Sequence, residues 1–279
     1  MKTQKDHEKQ IESFYSTGLG NIHKDTAWEL TFGYWEKDTD SYSRAAQNLW
    51  GQLFDKINIT NESIVVSVGC GMGFELLHLY RTYSPKKIIG IDLTKEHIDR
   101  ATILIEKNGL SEVVQLIHGS GLDLCNLLPN LNPTHIINIE ATSQMLNRNK
   151  FVSEAFRILA PGGYLGVCDA IILKKSKFYF PLTWITANLW KVPMRNITTT
   201  LTEELVENKF DVTTTEIGHQ VWPGYVKYKR KDFASDVRMR GYIFAILFIL
   251  LNEALSFSYK AKLLGYSVFI GKKPFNGVP

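Results

Sequence analysis

Residues 65–73 read Val-Val-Ser-Val-Gly-Cys-Gly-Met-Gly, an apolar run that ends in three glycines spaced two apart. A second apolar run, Ile-Gly-Ile-Asp, ends at Asp92. Together they supply what a nucleoside site requires: a buried strand, a turn whose backbone a ligand can approach, and an acid on a neighbouring strand to grip a ribose diol. A dinucleotide turn is spaced G-x-G-x-x-G. Here the glycines fall at 69, 71 and 73, and Phe74 stands where the later glycine would be. That spacing argues against NAD and for a ligand without a phosphate.

From residue 60 onward short β-rich runs alternate with helical patterns, the signature of a parallel sheet covered on both faces. Strands are expected near 64–68, 87–92, 113–118, 134–140 and 163–169, and helices near 74–83, 95–108 and 149–159. Pro161-Gly162-Gly163 ends the last helix, because proline cannot continue it and glycine relaxes the turn. Two final strands are expected at 211–217 and 266–271. Residues 1–58 read as a helical segment before the main domain at 59–279, with 42–57 the most periodic. Aromatic-rich residues about 174–200 and apolar residues about 222–262 are expected to form an inserted helical cap.

Three apolar strands end in acids. Asp92 follows Ile88-Ile89-Gly90-Ile91, Glu140 follows His135-Ile136-Ile137-Asn138-Ile139, and Asp169 follows Tyr164-Leu165-Gly166-Val167-Cys168. In an open parallel sheet ligands bind outside the carboxyl ends of the strands. An unpaired buried acid is expensive, so three on one rim point to a site. Asp92 is the expected ribose ligand. Glu140 is expected near the ligand's amino-acid portion or its reacting end, and Asp169 on the substrate side; either could take a proton or hold an amine.

The net charge of +4 on 279 residues comes without a long Lys/Arg block that would track a phosphate backbone, so no nucleic-acid partner is expected. Lys227-Tyr228-Lys229-Arg230-Lys231 is the strongest basic cluster, read as a solvated loop face, a contact for an anionic substrate or a membrane surface. Cys70, Cys125 and Cys168 suit neither zinc nor a disulfide framework and are read as packing residues. The seven histidines are scattered, so no metal is expected. The polar N-terminal residues suggest cytoplasmic localisation. The longest apolar stretch, 242–251, is about half a bilayer span; it reads as a cap helix or an interfacial one.

With these residues in view, the chain resembles class I S-adenosylmethionine-dependent methyltransferases of the small-molecule group, which includes sugar, tocopherol, sarcosine and polyketide methyltransferases and the related cyclopropane fatty acid synthases. The likeness rests on Phe32-Gly33-Tyr34-Trp35 with Ala45-Ala46-Gln47, on Ser67 through Gly73, on Gly90-Ile91-Asp92-Leu93, on Arg157 through Gly163, and on Leu264 through Pro274. It implies an α/β, Rossmann-like sheet, mostly parallel with its last strand antiparallel. It implies S-adenosylmethionine as cofactor, held by Tyr15, Phe32, Gly69, Cys70, Gly71, Gly73, Asp92, Leu93, Ser120, Gly121 and Glu140. Tyr34, Gln144, Phe178, Trp184 and Trp222 are the expected acceptor contacts.

Three departures stand out. The group usually has an acid where Ser67 stands, and an Asp where Ser120 stands to accept a hydrogen bond from the adenine amine. Several relatives carry His after the Glu of strand four, whereas here Glu140 is followed by Ala-Thr-Ser-Gln-Met. His219 is the candidate to substitute for that base. The aromatics Phe178, Tyr179, Phe180, Trp184, Trp190, Trp222 and Tyr225 favour a lipid, terpenoid or polyketide-like acceptor, unless they are simply cap core. The alternatives are a cofactor-binding protein without methyl transfer, acting as a partner subunit or cyclase, and an NAD-dependent oxidoreductase.

Overall fold

The computed structural model describes residues 3–17, 31–172, 191–193, 196 and 200–275. In chain order the elements are α1 (Gln4–Thr17), α2 (Tyr42–Phe54), β1 (Ile64–Val68), α3 (Phe74–Tyr83), β2 (Lys87–Asp92), α4 (Lys95–Lys107), β3 (Val114–His118), α5 (Leu124–Leu127), β4 (His135–Ile139), α6 (Arg148–Ile158), β5 (Tyr164–Ile172), α7 (Leu201–Glu207), β6 (Asp211–Glu216), α8 (Gly218–Lys231), α9 (Phe233–Arg240), α10 (Tyr242–Lys260) and β7 (Leu264–Lys272). Among the described residues the strands form one seven-stranded sheet, ordered β3-β2-β1-β4-β5-β7-β6. The first five are parallel, and β7 runs antiparallel between β5 and β6.

The near-continuous apolar runs of β1, β2 and β4 follow from burial on both faces. Val65 and Ile137 pack with Leu49 and Leu53 of α2 and Leu76 and Leu79 of α3 on one side; Val66 and Ile136 pack with Phe151 and Val152 of α6 on the other. Helix α2 buries Tyr42, Ala45, Ala46, Leu49, Trp50 and Leu53, the i, i+3, i+4, i+7 stripe of a core-facing helix. Ser41 caps it by accepting the Arg44 N–H at 3.3 Å.

Two expectations change. Strand β5 runs three residues past 169, because β7 pairs with it through Ile172↔Leu264. Asp169 is therefore an interior strand residue, paired across from Ser267. The excursion between β6 and β7 is helical from Gly218 onward, so the 227–231 cluster lies in α8 and is no loop. Within it Lys229 is buried, with its ammonium 5.5 Å from the Tyr42 ring centre and 5.6 Å from that of Phe248. Helix α10 is nineteen residues long and leaves Ile243, Leu247 and Leu250 exposed along one side. No helix among the described residues is long and apolar enough to cross a membrane.

Candidate functional site

A cavity of about 820 Å³, counting its mouth, opens at the carboxyl ends of the first four strands. The turn after β1 forms its floor. The Gly69 and Cys70 N–H groups both donate to the Ile91 carbonyl, at 2.7 and 3.1 Å, which ties the turn to β2. Gly69 has φ +78°, and a Cβ on it would lie 2.5 Å from Ala141 Cβ, so no other residue fits between the β1 turn and the β4 loop. Asn138 holds the same junction: its Nδ2 donates to the Val68 carbonyl at 2.7 Å and its Oδ1 accepts the Ala141 and Thr142 N–H groups.

Asp92 closes β2 and is buried. Its Oδ2 accepts the Gly71 N–H at 2.8 Å, and its Oδ1 takes the Thr94 N–H at 2.8 Å and His97 Nδ1 at 3.2 Å. Burial pushes this carboxyl upward, but the hydrogen bond and charge of His97 with the Thr94 and Gly71 amides outweigh it, so the pKa lies below its ordinary value. A carboxylate offers about four acceptor directions. Three are taken, which leaves one rather than two for a ribose hydroxyl.

Glu140 stands one residue past β4 with φ +60°, a left-handed conformation that a glutamate adopts at a cost of about 1–3 kcal/mol. Its Oε1 accepts from Thr31 Oγ1 at 2.9 Å, the Phe32 N–H at 3.0 Å and Tyr266 Oη at 2.6 Å. Burial pushes the carboxyl up to about 8 against the pull of these bonds. The residue thus joins the loop before α2 to β7 at the cavity's edge.

Helix α1 covers the mouth. Gln4, His7, Glu8, Ile11 and Tyr15 line the cavity from above. The helix is fastened by His7 Nε2 to the Gln144 carbonyl at 2.7 Å, by Tyr15 Oη to Gln144 Oε1 at 3.0 Å, and by Ser120 Oγ to Glu8 Oε1 at 2.6 Å. Burial holds the Tyr15 phenol well above its usual pKa, so it serves as a neutral donor.

Of the residues singled out in the sequence, Tyr15, Gly69, Gly71, Asp92, Leu93, Ser120, Gly121, Glu140 and Gln144 meet in this cavity. The others lie elsewhere. The Cys70 side chain turns inward, where a Cβ on Gly90 would lie 2.9 Å from its Sγ. Gly73 caps α3 at φ +84°, and a Cβ on it would lie 3.1 Å from Ala101 Cβ of α4, so its place is in helix packing. Phe32 offers its amide to Glu140 while its ring packs on Trp222, Tyr225 and Tyr266. Trp222 is buried in that cluster, with its indole N–H lacking a hydrogen-bond partner. Tyr34 is partly buried against the same core. Phe178 and Trp184 lie outside the described residues, as do Tyr179, Phe180 and Trp190.

Asp169 and His219 are both displaced from the expected catalytic position. Asp169 does not line the cavity: its Oδ2 accepts Thr142 Oγ1 at 2.6 Å and the Ser143 N–H at 2.7 Å, and its Oδ1 the Ala170 N–H at 2.8 Å. These bonds brace the loop after β4, a position that follows from the extension of β5. Its pKa is raised, by burial. His219 opens α8 on the surface, with Nδ1 3.9 Å from Glu216.

The stretch 59–208 matches the family model described as a methyltransferase domain. The chain belongs to this family. The match spans β1 to α7 and so includes the four strands that build the cavity of this methyltransferase-domain chain. Erythromycin 3''-O-methyltransferase of Saccharopolyspora erythraea is 28% identical over 168 residues, 60% of this chain and 50% of the relative. The chain spans about half the length of the curated relatives it matches. Two solved structures share the fold: a sarcosine dimethylglycine methyltransferase from Galdieria sulphuraria (TM-score 0.77, 14% identity, 97% of this chain and 99% of that one) and geranyl diphosphate C-methyltransferase from Streptomyces coelicolor A3(2) (0.71, 14%, 96% and 98%).

Sequence reasoning missed four side chains of this methyltransferase fold. His97 carries a local signal, five residues after Asp92 on the first turn of α4. Glu75 is signalled by its place two residues past the third glycine; it is buried and accepts the Ser67 hydroxyl. Glu8 carries none, because its partner Ser120 lies 112 residues away, and Gln4, bonded to Glu8 on the same helix, meets the cavity only where that helix docks.

Proposed function

We propose that this chain transfers a methyl group from S-adenosylmethionine to a small, hydrophobic acceptor. One observation carries the reading. Three carboxylates, Glu8, Asp92 and Glu140, line the cavity, and among the described residues no lysine or arginine does. Such a lining suits a cationic sulfonium with an ammonium group and would leave a pyrophosphate without a counter-charge.

Asp92 would hold the ribose, with the Gly69–Gly71 backbone beneath it. Glu140 would face the cofactor's amino-acid arm or the acceptor. Bound S-adenosylmethionine supplies a methyl group already activated by its sulfonium charge. The protein's share is orientation and dryness: orientation alone supplies roughly 7–11 kcal/mol, a general base only about 10²–10⁴-fold. Of the candidate bases, Glu140 is the one that lines the cavity, and a carboxyl near pKa 8 suits proton removal close to neutral pH. Thr31, Phe32 and Tyr266 crowd its Oε1, and the Phe32 N–H also reaches Oε2 at 3.1 Å, so Oε2, with that single bond, is the less engaged oxygen to take the proton of an acceptor hydroxyl.

The cluster of Phe32, Trp222, Tyr225 and Tyr266 beside Glu140 supports an apolar acceptor. By their names, the geranyl diphosphate C-methyltransferase and the erythromycin 3''-O-methyltransferase act on small molecules. The exposed stripe on α10 supports contact with a lipid surface. Incubation with methyl-labelled S-adenosylmethionine and an apolar metabolite extract should place label in a small product. Tight binding of NADH, or binding of S-adenosylhomocysteine without any transfer, would defeat the reading.

A further inference from the structure

The cavity runs along the sheet rim in the order β4, β1, β2, β3, from Glu140 past Gly69 and Asp92 to Ser120. A nucleoside with its sugar at Asp92 and its charged arm toward Glu140 lays its base at the β3 end. There Ile11, Leu93 and Leu122 form apolar walls beside Gly119, a setting for a flat ring. At that end Ser120 is no free hydroxyl. Its Oγ donates to Glu8 Oε1 at 2.6 Å, and it accepts the Leu122 N–H at 3.2 Å. Gln4 Nε2 donates to the same Glu8 oxygen at 2.7 Å. Both bonds fall on Oε1, so Oε2 is left for a ligand donor.

We propose that Glu8 of α1 reads the exocyclic amine of the adenine ring, with Ser120 and Gln4 as positioning residues. A carboxylate accepts from an amine and repels the carbonyl oxygen that replaces it in inosine. Charge-assisted hydrogen bonds are roughly twice as strong as neutral ones, so a serine alone would discriminate weakly where a serine that holds a carboxylate discriminates well. The proposal rests on the S-adenosylmethionine reading. It makes base recognition the work of a helix outside the sheet, so cofactor selectivity requires α1 to be docked.

Titration calorimetry of S-adenosylhomocysteine and its inosine analogue against the wild-type chain, Glu8→Gln and Ser120→Ala provides the test, and it needs no acceptor. Glu8→Gln keeps the size of the side chain and the acceptor for Ser120 and Gln4, and thermal melts confirm folding. The wild-type chain should prefer the adenine ligand by about ten- to a hundredfold, the range of a hydrogen bond to a charged group. In Glu8→Gln that preference should collapse to within a few fold, and Ser120→Ala should reduce it partway. An unchanged preference in Glu8→Gln overturns the proposal and leaves the cofactor reading intact. Failure of the wild-type chain to bind either ligand overturns both.

Discussion

Ser67 donates its hydroxyl to the carboxylate of Glu75, and both side chains are buried beneath the glycine turn. An acid thus sits against the end of β1 although the strand itself carries none. Burial pushes Glu75 up to about 7, while the Ser67 bond pulls it down. Its folded pKa exceeds the unfolded value, so its contribution to stability is full at acid pH and is lost as pH rises through about 7. Ser67→Ala should therefore destabilise the fold by about 1–3 kcal/mol, and more at pH 8 than at pH 5. Urea melts at the two pH values measure this; an equal loss at both would contradict it.

Asp92 and Asp169 should separate cleanly. Asp92→Asn turns one of its two acceptors into a donor that faces either the Gly71 or the Thr94 amide, and binding of S-adenosylhomocysteine should fall at least about a hundredfold. Asp169→Asn removes the brace on Thr142 and Ser143. Its chief effect should be a loss of roughly 1–3 kcal/mol of stability, with weaker binding as a consequence of the loosened loop. Calorimetry beside thermal melts distinguishes the two, and a stable Asp169→Asn chain that binds normally yet transfers slowly would restore a catalytic role for Asp169.

Cofactor affinity should depend on pH through Glu140. Below about pH 8 this carboxyl is largely protonated in the free chain, and a cationic ligand favours its ionised form. Affinity for S-adenosylmethionine should rise between pH 6 and 9, with proton release at neutral pH visible as buffer-dependent heats. Glu140→Gln should flatten the profile. A flat profile in the wild-type chain would mean that the ligand's charge lies away from Glu140.

On α10, Ile243, Leu247 and Leu250 are exposed, and Lys227 and Lys231 of α8 are exposed as well. Burying each apolar side chain gains about 1.5–3 kcal/mol. Changing all three to serine should abolish co-sedimentation with anionic vesicles while leaving cofactor binding unchanged. Equal sedimentation of both chains would remove the membrane from the account.

The sequence marked Asp92 and Glu140 as rim residues because the signal there is local. Apolar runs that end at Asp92 and just before Glu140 are strands whose ends lie at a rim, and both acids line the cavity. Asp169 looked the same but sits inside its strand, since β7 pairs with β5 as far as Ile172 and no pattern near 169 records a partner almost a hundred residues away. Cys70 and Gly73 share the glycine turn with Gly69 and Gly71 but face the core and α4; spacing cannot tell which side of a turn meets a ligand. Glu8 was illegible for a different reason. Its role depends on where α1 docks, and an amphipathic helix announces its own face without naming its partner.

The position of β7 bears on how the chain reaches its folded state. Among the described residues strand β6 hydrogen-bonds to β7 and to no other strand, so it waits for residues 264–272 before it has a neighbour. During synthesis the first five strands can assemble as they emerge, whereas β6 and the helices after it must remain provisional until the closing segment slides in beside β5. A ribosome stalled before residue 264 would therefore hold five of the seven strands with an open edge at β5, and the aromatic cluster around Tyr266 would be the last to form.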